Sequence, residues 1–143
     1  PTPTPPALPP EATTMDAAGA AAFVRHWFDL VNYAYATGNT EPVVAVSTPK
    51  CESCSNTVAT IDDQYSNGGR IEGGQITVVG AESPAPEPNR PVLVTTVYSQ
   101  APLASVTAGG ETSTESPAEE NETVGFFIEW SDDAWTAVGI GEG

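Results

Sequence analysis

The sequence predicts an α+β domain: a long N-terminal helix and two short helices packed on a curved antiparallel sheet of about four strands. Three observations lead there. One apolar stripe of helical period runs through Ala20, Phe23, Val24, Trp27, Leu30, Val31 and Ala34. β-branched clusters dominate from residue 75 onward. Finally, the helical patterns precede the strand patterns instead of alternating with them, which argues against a βαβ sheet.

The long helix comes first. Phe28 and Tyr35 widen one edge of its stripe, while His26 and Tyr33 flank the other. The apolar arc covers roughly 160°, broad for a surface helix, and suits one gripped by a curved sheet. Asp16 is placed to cap its start, and Thr37-Gly38-Asn39 supplies the glycine stop. Thr40 then caps a short helix over 41–46, with Pro42 in its first turn. A third helix is expected over 55–66, carrying Val58, Ile61 and Tyr65, and Asn67-Gly68-Gly69 ends it.

Strands are expected over 75–82 and 92–98, the latter continuing through 103–106 after a break at Pro102. Residues 124–130 and 135–140 pair as a hairpin across Ser131-Asp132-Asp133-Ala134. The polar, acidic stretch 108–123 is expected to be a mobile loop. Residues 1–14 hold prolines at 1, 3, 5, 6, 9 and 10, and are expected to form an extended, disordered linker or stalk. Residues 15–143 then make a single domain, and the start at Pro1 suggests a mature fragment whose targeting segment lay upstream.

Nineteen acidic residues against four basic ones give a net charge of -15. That sign opposes nucleic-acid phosphates and anionic lipid head groups alike, so neither is an expected partner. No apolar run approaches the roughly 18 residues needed to span a bilayer.

Cys51 and Cys54 are the only cysteines. With one histidine, they fall short of the four ligands of a structural zinc site, so no metal is expected. The pair reads as a local disulfide tying the second helix to the third in an oxidising compartment. A redox-active pair at a helix start is the alternative, against which stands the lack of a preceding strand.

His26, Tyr33, Tyr65 and Arg70 are the candidate pocket residues. His26 is the only histidine, and with Asp62 or Asp63 it would make a general base. Tyr33 and Tyr65 offer hydroxyls at the open end of the sheet. Arg70 lies between Gly68-Gly69 and Gly73-Gly74, in a loop free to aim it at a carboxylate. Each has a plain structural reading, as a core-edge residue or an internal ion pair. No catalytic residue and no cofactor is assigned.

Several of these residues carry a resemblance. Gly19-Ala20-Ala21-Ala22-Phe23-Val24-Arg25-His26-Trp27, Asn32-Tyr33-Ala34 and Thr37-Gly38 resemble the start of a family of actinobacterial lipoproteins of unknown function. Cys51-Glu52-Ser53-Cys54, Gly68-Gly69-Arg70 and Gly73-Gly74 continue it in order. The resemblance implies a lipid anchor upstream of the proline-rich segment and a place at the outer face of the cell membrane. The helix order and the Trp130 to Trp135 hairpin are similar to the cone-shaped NTF2-like fold.

The reading is therefore a non-catalytic cell-envelope domain binding an unidentified protein or small molecule, with a homodimer as a further expectation. A small enzyme with an NTF2-like pocket is the alternative, and a thiol-disulfide protein a weaker one.

Overall fold

The computed structural model describes residues 4–142. A 3-10 turn, Pro10–Thr13, leads into α1 (Ala17–Thr37), α2 (Glu41–Ala45) and α3 (Glu52–Ser66). Seven strands follow: β1 (Arg70–Gly73), β2 (Ile76–Glu82), β3 (Val92–Gln100), β4 (Leu103–Val106), β5 (Thr112–Ser116), β6 (Glu119–Ser131) and β7 (Ala134–Glu142). They form two antiparallel sheets, ordered β2-β3-β6-β7 and β1-β4-β5.

The ends of α1 follow the capping chemistry of the sequence. Asp16 Oδ1 accepts from the Gly19 amide at 2.6 Å, and Gly38, with φ +81°, turns its N–H back to the Ala34 carbonyl. Phe23, Val24, Trp27, Phe28 and Val31 are buried against Val92, Val94, Phe126 and Ile128 on the inner face of the larger sheet. Phe126 is the hub of this contact, with the Trp27 ring 5.0 Å away and the Phe28 ring 5.8 Å away, both edge-on.

Each edge of the larger sheet is covered in part. Asn32 on α1 exchanges two hydrogen bonds with the Ile76 backbone (Nδ2 to O 2.9 Å, N to Oδ1 2.8 Å), as a strand neighbour would. Arg25 donates to the Val78 carbonyl two residues on. At the opposite edge, the Ala137 amide donates to the Val46 carbonyl at 2.8 Å, and Thr48 N–H donates to the Ala137 carbonyl at 2.9 Å. Helix and loop thus take up some of the groups that an open edge offers to other chains.

Four sequence expectations change. About four strands become seven, because short β1, β4 and β5 make a second sheet. The stretch 108–123 is not a loop: β5 and the first residues of β6 occupy it, paired to β4 and β3 through backbone groups. The linker expected over 1–14 ends earlier. Pro10–Thr13 packs on α1, Ala12 is buried, and the Trp135 indole donates to the Thr14 carbonyl at 3.0 Å; residues 1–3 lie outside the described residues. The third helix starts at Glu52 instead of 55, so the cysteines belong to its first turn.

At the β6–β7 turn, Asp132 and Asp133 both adopt positive φ (53° and 62°), as a two-residue type I′ hairpin requires. The turn sets Trp130 opposite Trp135 in register, with ring centroids 5.2 Å apart.

Candidate functional site

Between α1, α3 and the larger sheet the core does not close completely. A cavity of about 160 Å³ remains there. Phe28, Val31 and Tyr35, spaced i, i+3 and i+7, line it from α1. Tyr98 near the end of β3 stacks on Phe28 at 5.8 Å and 24°. Trp27 forms a further wall, held by an indole bond to Ser47 Oγ at 3.0 Å.

The polar groups of the lining are all neutral. Gln100 is hydrogen-bonded to Tyr35 and donates to the Gly74 carbonyl at 3.0 Å. Ser53 and Thr57 on α3 donate their hydroxyl protons to the carbonyls of Ile140 (3.1 Å) and Ser53 (2.9 Å). Their oxygens keep lone pairs for a ligand donor. Burial pushes the Tyr35 phenol above its usual range; the Gln100 bond opposes this and Glu119 reinforces it. Tyr35 is therefore a neutral hydroxyl. The walls suit a small planar molecule, and the polar groups suit one that can exchange a hydrogen bond.

The four candidate pocket residues lie elsewhere. His26 is buried on the other edge of α1, and burial lowers its pKa against the opposing pull of Asp29. Asp29 is its charged neighbour; Asp62 instead accepts from Thr40 Oγ1 at 2.7 Å. Tyr33 accepts from Asn39 Nδ2 at 3.4 Å. Tyr65 is a brace: its hydroxyl donates to the Tyr35 carbonyl and accepts from Ile71 N–H at 3.3 Å, while its ring lies against Gly38. Arg70 is exposed and pairs with Glu72, Nη2 to Oε2, at 2.6 Å. The structure does not gather the four into one site.

Cys51 and Cys54 form a disulfide. It closes the first turn of α3 upon itself, where Cys51 Sγ also accepts from Cys54 N–H at 3.2 Å, and does not link two helices as the sequence suggested. Both cysteines are buried, at 0% and 1% exposure, which leaves no sulfur for an incoming thiolate. A second groove, of about 390 Å³, lies beside the pair, lined by Val44, Pro49, Val58 and Asp62 among others. Among the described residues, no group of three or more histidine, cysteine, aspartate or glutamate side chains is placed to hold a metal ion. No helix there is long and apolar enough to cross a membrane.

Sequence reasoning missed Tyr35, Tyr98 and Gln100 as site residues. Tyr35 had a signal, sitting seven residues after Phe28 on one helix edge. Tyr98 and Gln100 reach the same place only through the register of β3.

No curated protein matches the chain. It is similar in fold to a crystal structure of the intermembrane space region of the chloroplast protein ARC6, with a TM-score of 0.60 and 13% identity. That likeness covers 91% of this chain and 99% of the other. Residues 2–140 match the model of a family of unknown function (DUF6318), and the chain belongs to that family.

Proposed function

We propose that this member of a family of unknown function is a non-catalytic binding domain of the cell envelope, holding a small, neutral, largely aromatic ligand in the cavity beside α1. The observation that carries the reading is the cavity lining, in which aromatic walls meet the neutral hydrogen-bonding groups of Tyr35, Ser53, Thr57, Tyr98 and Gln100 and no carboxylate or imidazole. An enzyme using a buried carboxylate as base would need such a group there. The size also fits, since an apolar protein cavity of about 150 Å³ admits benzene.

Three finer points belong to the same proposal. α1 gripped by the β2-β3-β6-β7 sheet, with α2 and α3 following it, supports an NTF2-like cone. The disulfide supports an oxidising, extracytoplasmic compartment. An anchor at the outer face of an actinobacterial membrane rests on the resemblance of residues 10–140 to that lipoprotein family, and the ARC6 region, itself described as lying in an intermembrane space, is a compatible neighbour.

The test is a titration of Trp fluorescence with phenol, benzamide and their charged analogues benzoate and benzylamine. Trp27 forms a wall of the cavity, so the neutral probes should change its emission saturably and the charged ones should not. Thr57→Phe, which fills the cavity from a half-buried position, should abolish the response while leaving the circular dichroism unchanged. Binding that survives Thr57→Phe would place the site elsewhere.

A further inference from the structure

The geometry points to the class of guest that the cavity takes: an aromatic hydrogen-bond donor, such as a phenol or an arylamine, whose O–H or N–H is accepted by Ser53 and Thr57 on α3. This inference rests on the binding reading above and narrows it.

Most donor protons of the lining are already used inside the protein. The Ser53 hydroxyl gives its proton to the Ile140 carbonyl at 3.1 Å, and Thr57 gives its own to the Ser53 carbonyl at 2.9 Å. The Trp27 indole N–H goes to Ser47 Oγ at 3.0 Å. One Gln100 amide proton goes to the Gly74 carbonyl at 3.0 Å, and a further bond joins Gln100 to Tyr35. Those two side chains carry three donor protons between them, so one is left for a guest. Lone pairs are more plentiful, because a hydroxyl that has given up its proton still accepts. A guest that brings a donor therefore finds partners on α3. One that brings an acceptor alone meets lone pairs there, and has a single proton to reach for at the Tyr35–Gln100 pair.

The α3 acceptors are also held in place. Ser53 and Thr57 stand one turn apart on the same side of the helix. A helix start ordinarily frays, but here the Cys51–Cys54 disulfide closes the turn that contains Ser53. Two carbonyls of β7 pin the same region from outside, Ala137 taking the Thr48 amide and Ile140 the Ser53 hydroxyl. Turning the Ser53 proton toward a guest would give up the bond that joins α3 to β7. The acceptor edge is thus set before a guest arrives.

Burial sets the orientation. Trp27, Phe28 and Val31 are buried and form an apolar floor, while Tyr35, Ser53, Thr57 and Gln100 are half-buried at the mouth. The ring goes in first and its donor stays at the mouth. An ammonium is a donor too, but no carboxylate lines the cavity to offset the water it would lose.

An NMR titration that follows the Trp27 indole N–H tests this with four probes of similar size, all uncharged at neutral pH. Phenol and aniline donate; pyridine is an acceptor alone, and toluene is neither. The wild-type chain should bind phenol and aniline more tightly than pyridine. Ser53→Ala combined with Thr57→Val should weaken phenol and aniline by about five-fold for each bond lost and leave toluene unchanged. Thr57→Ser, which keeps the hydroxyl, should bind all four as wild type does. Should loss of the Ile140 bond disturb folding, Thr57→Val is read alone, since it breaks no tie between elements. Pyridine binding as tightly as phenol, or equal weakening of phenol and toluene in the double variant, overturns the inference and leaves the binding cavity standing. If none of the four probes binds, the reading of the cavity falls and this inference with it.

Discussion

Asn32 offers a direct test of how α1 is fixed to the sheet. Its carboxamide gives Nδ2–H to the Ile76 carbonyl and takes Ile76 N–H on Oδ1, at 2.9 and 2.8 Å. A typical intramolecular hydrogen bond contributes about 1 kcal/mol net. Asn32→Ala should therefore cost about 2 kcal/mol, or about 4–8 °C in melting temperature for a chain of this size. Asn32→Asp separates the two bonds. It keeps the acceptor facing Ile76 N–H but turns a lone pair toward the Ile76 carbonyl, leaving that carbonyl without its donor. It should be less stable than Asn32→Ala at neutral pH, although its shape is nearly that of asparagine. Urea denaturation of the three proteins measures the order. Amide exchange at Ile76 adds a local reading: a loss of about 2 kcal/mol corresponds to about 30-fold faster exchange. The reasoning fails if Asn32→Asp matches wild type, or if Asn32→Ala costs less than about 0.5 kcal/mol.

Two further outcomes are expected. The disulfide closes a loop of sequence separation 3, for which the chain-entropy relation gives about 2 kcal/mol; Cys51→Ser with Cys54→Ala, which keeps an acceptor at the helix cap, should lower stability by that amount in urea, and a loss above about 4 kcal/mol would reveal a role beyond the cross-link. Burial holds the His26 pKa below 6.5, so the unfolded chain takes up this proton first as the medium is acidified. Stability should then fall as pH drops through 6.5 and level off below the folded value. His26→Gln should remove that part of the slope between pH 7.5 and 5, and an unchanged slope would refute the assignment.

How much of this was legible depends on where side chains meet the core. α1 was plain because ten of its residues are buried along one stripe of period 3.6. The Trp130–Trp135 hairpin was plain because its turn and its paired tryptophans are adjacent in sequence. β5 was illegible for the opposite reason. Thr112–Ser116 is exposed at every position, so no alternation marks it, and only its backbone pairing to β4 makes it a strand. The same applies to Glu119–Thr123, whose charges resemble those of a solvated loop. The candidate site was misjudged because rare residue types were preferred over position. His26 and Arg70 stood out by scarcity, yet the cavity is built from Tyr35, Gln100 and two hydroxyls, common residues that matter through convergence from three elements.

The bond from Trp135 to the Thr14 carbonyl has a mechanical consequence. It fastens the incoming chain at the first turn of α1, whereas the cavity runs along the second half of the helix from Trp27 to Tyr35, about 15–27 Å away along the axis. A tug on the chain upstream is borne by one indole and one short turn at the near pole. From there it reaches the cavity along a 21-residue helix packed on the sheet and along β7, which carries both Trp135 and the cavity-lining Ile140. A pull at the entry of the chain is thus shared between a helix and a strand before it arrives at the cavity.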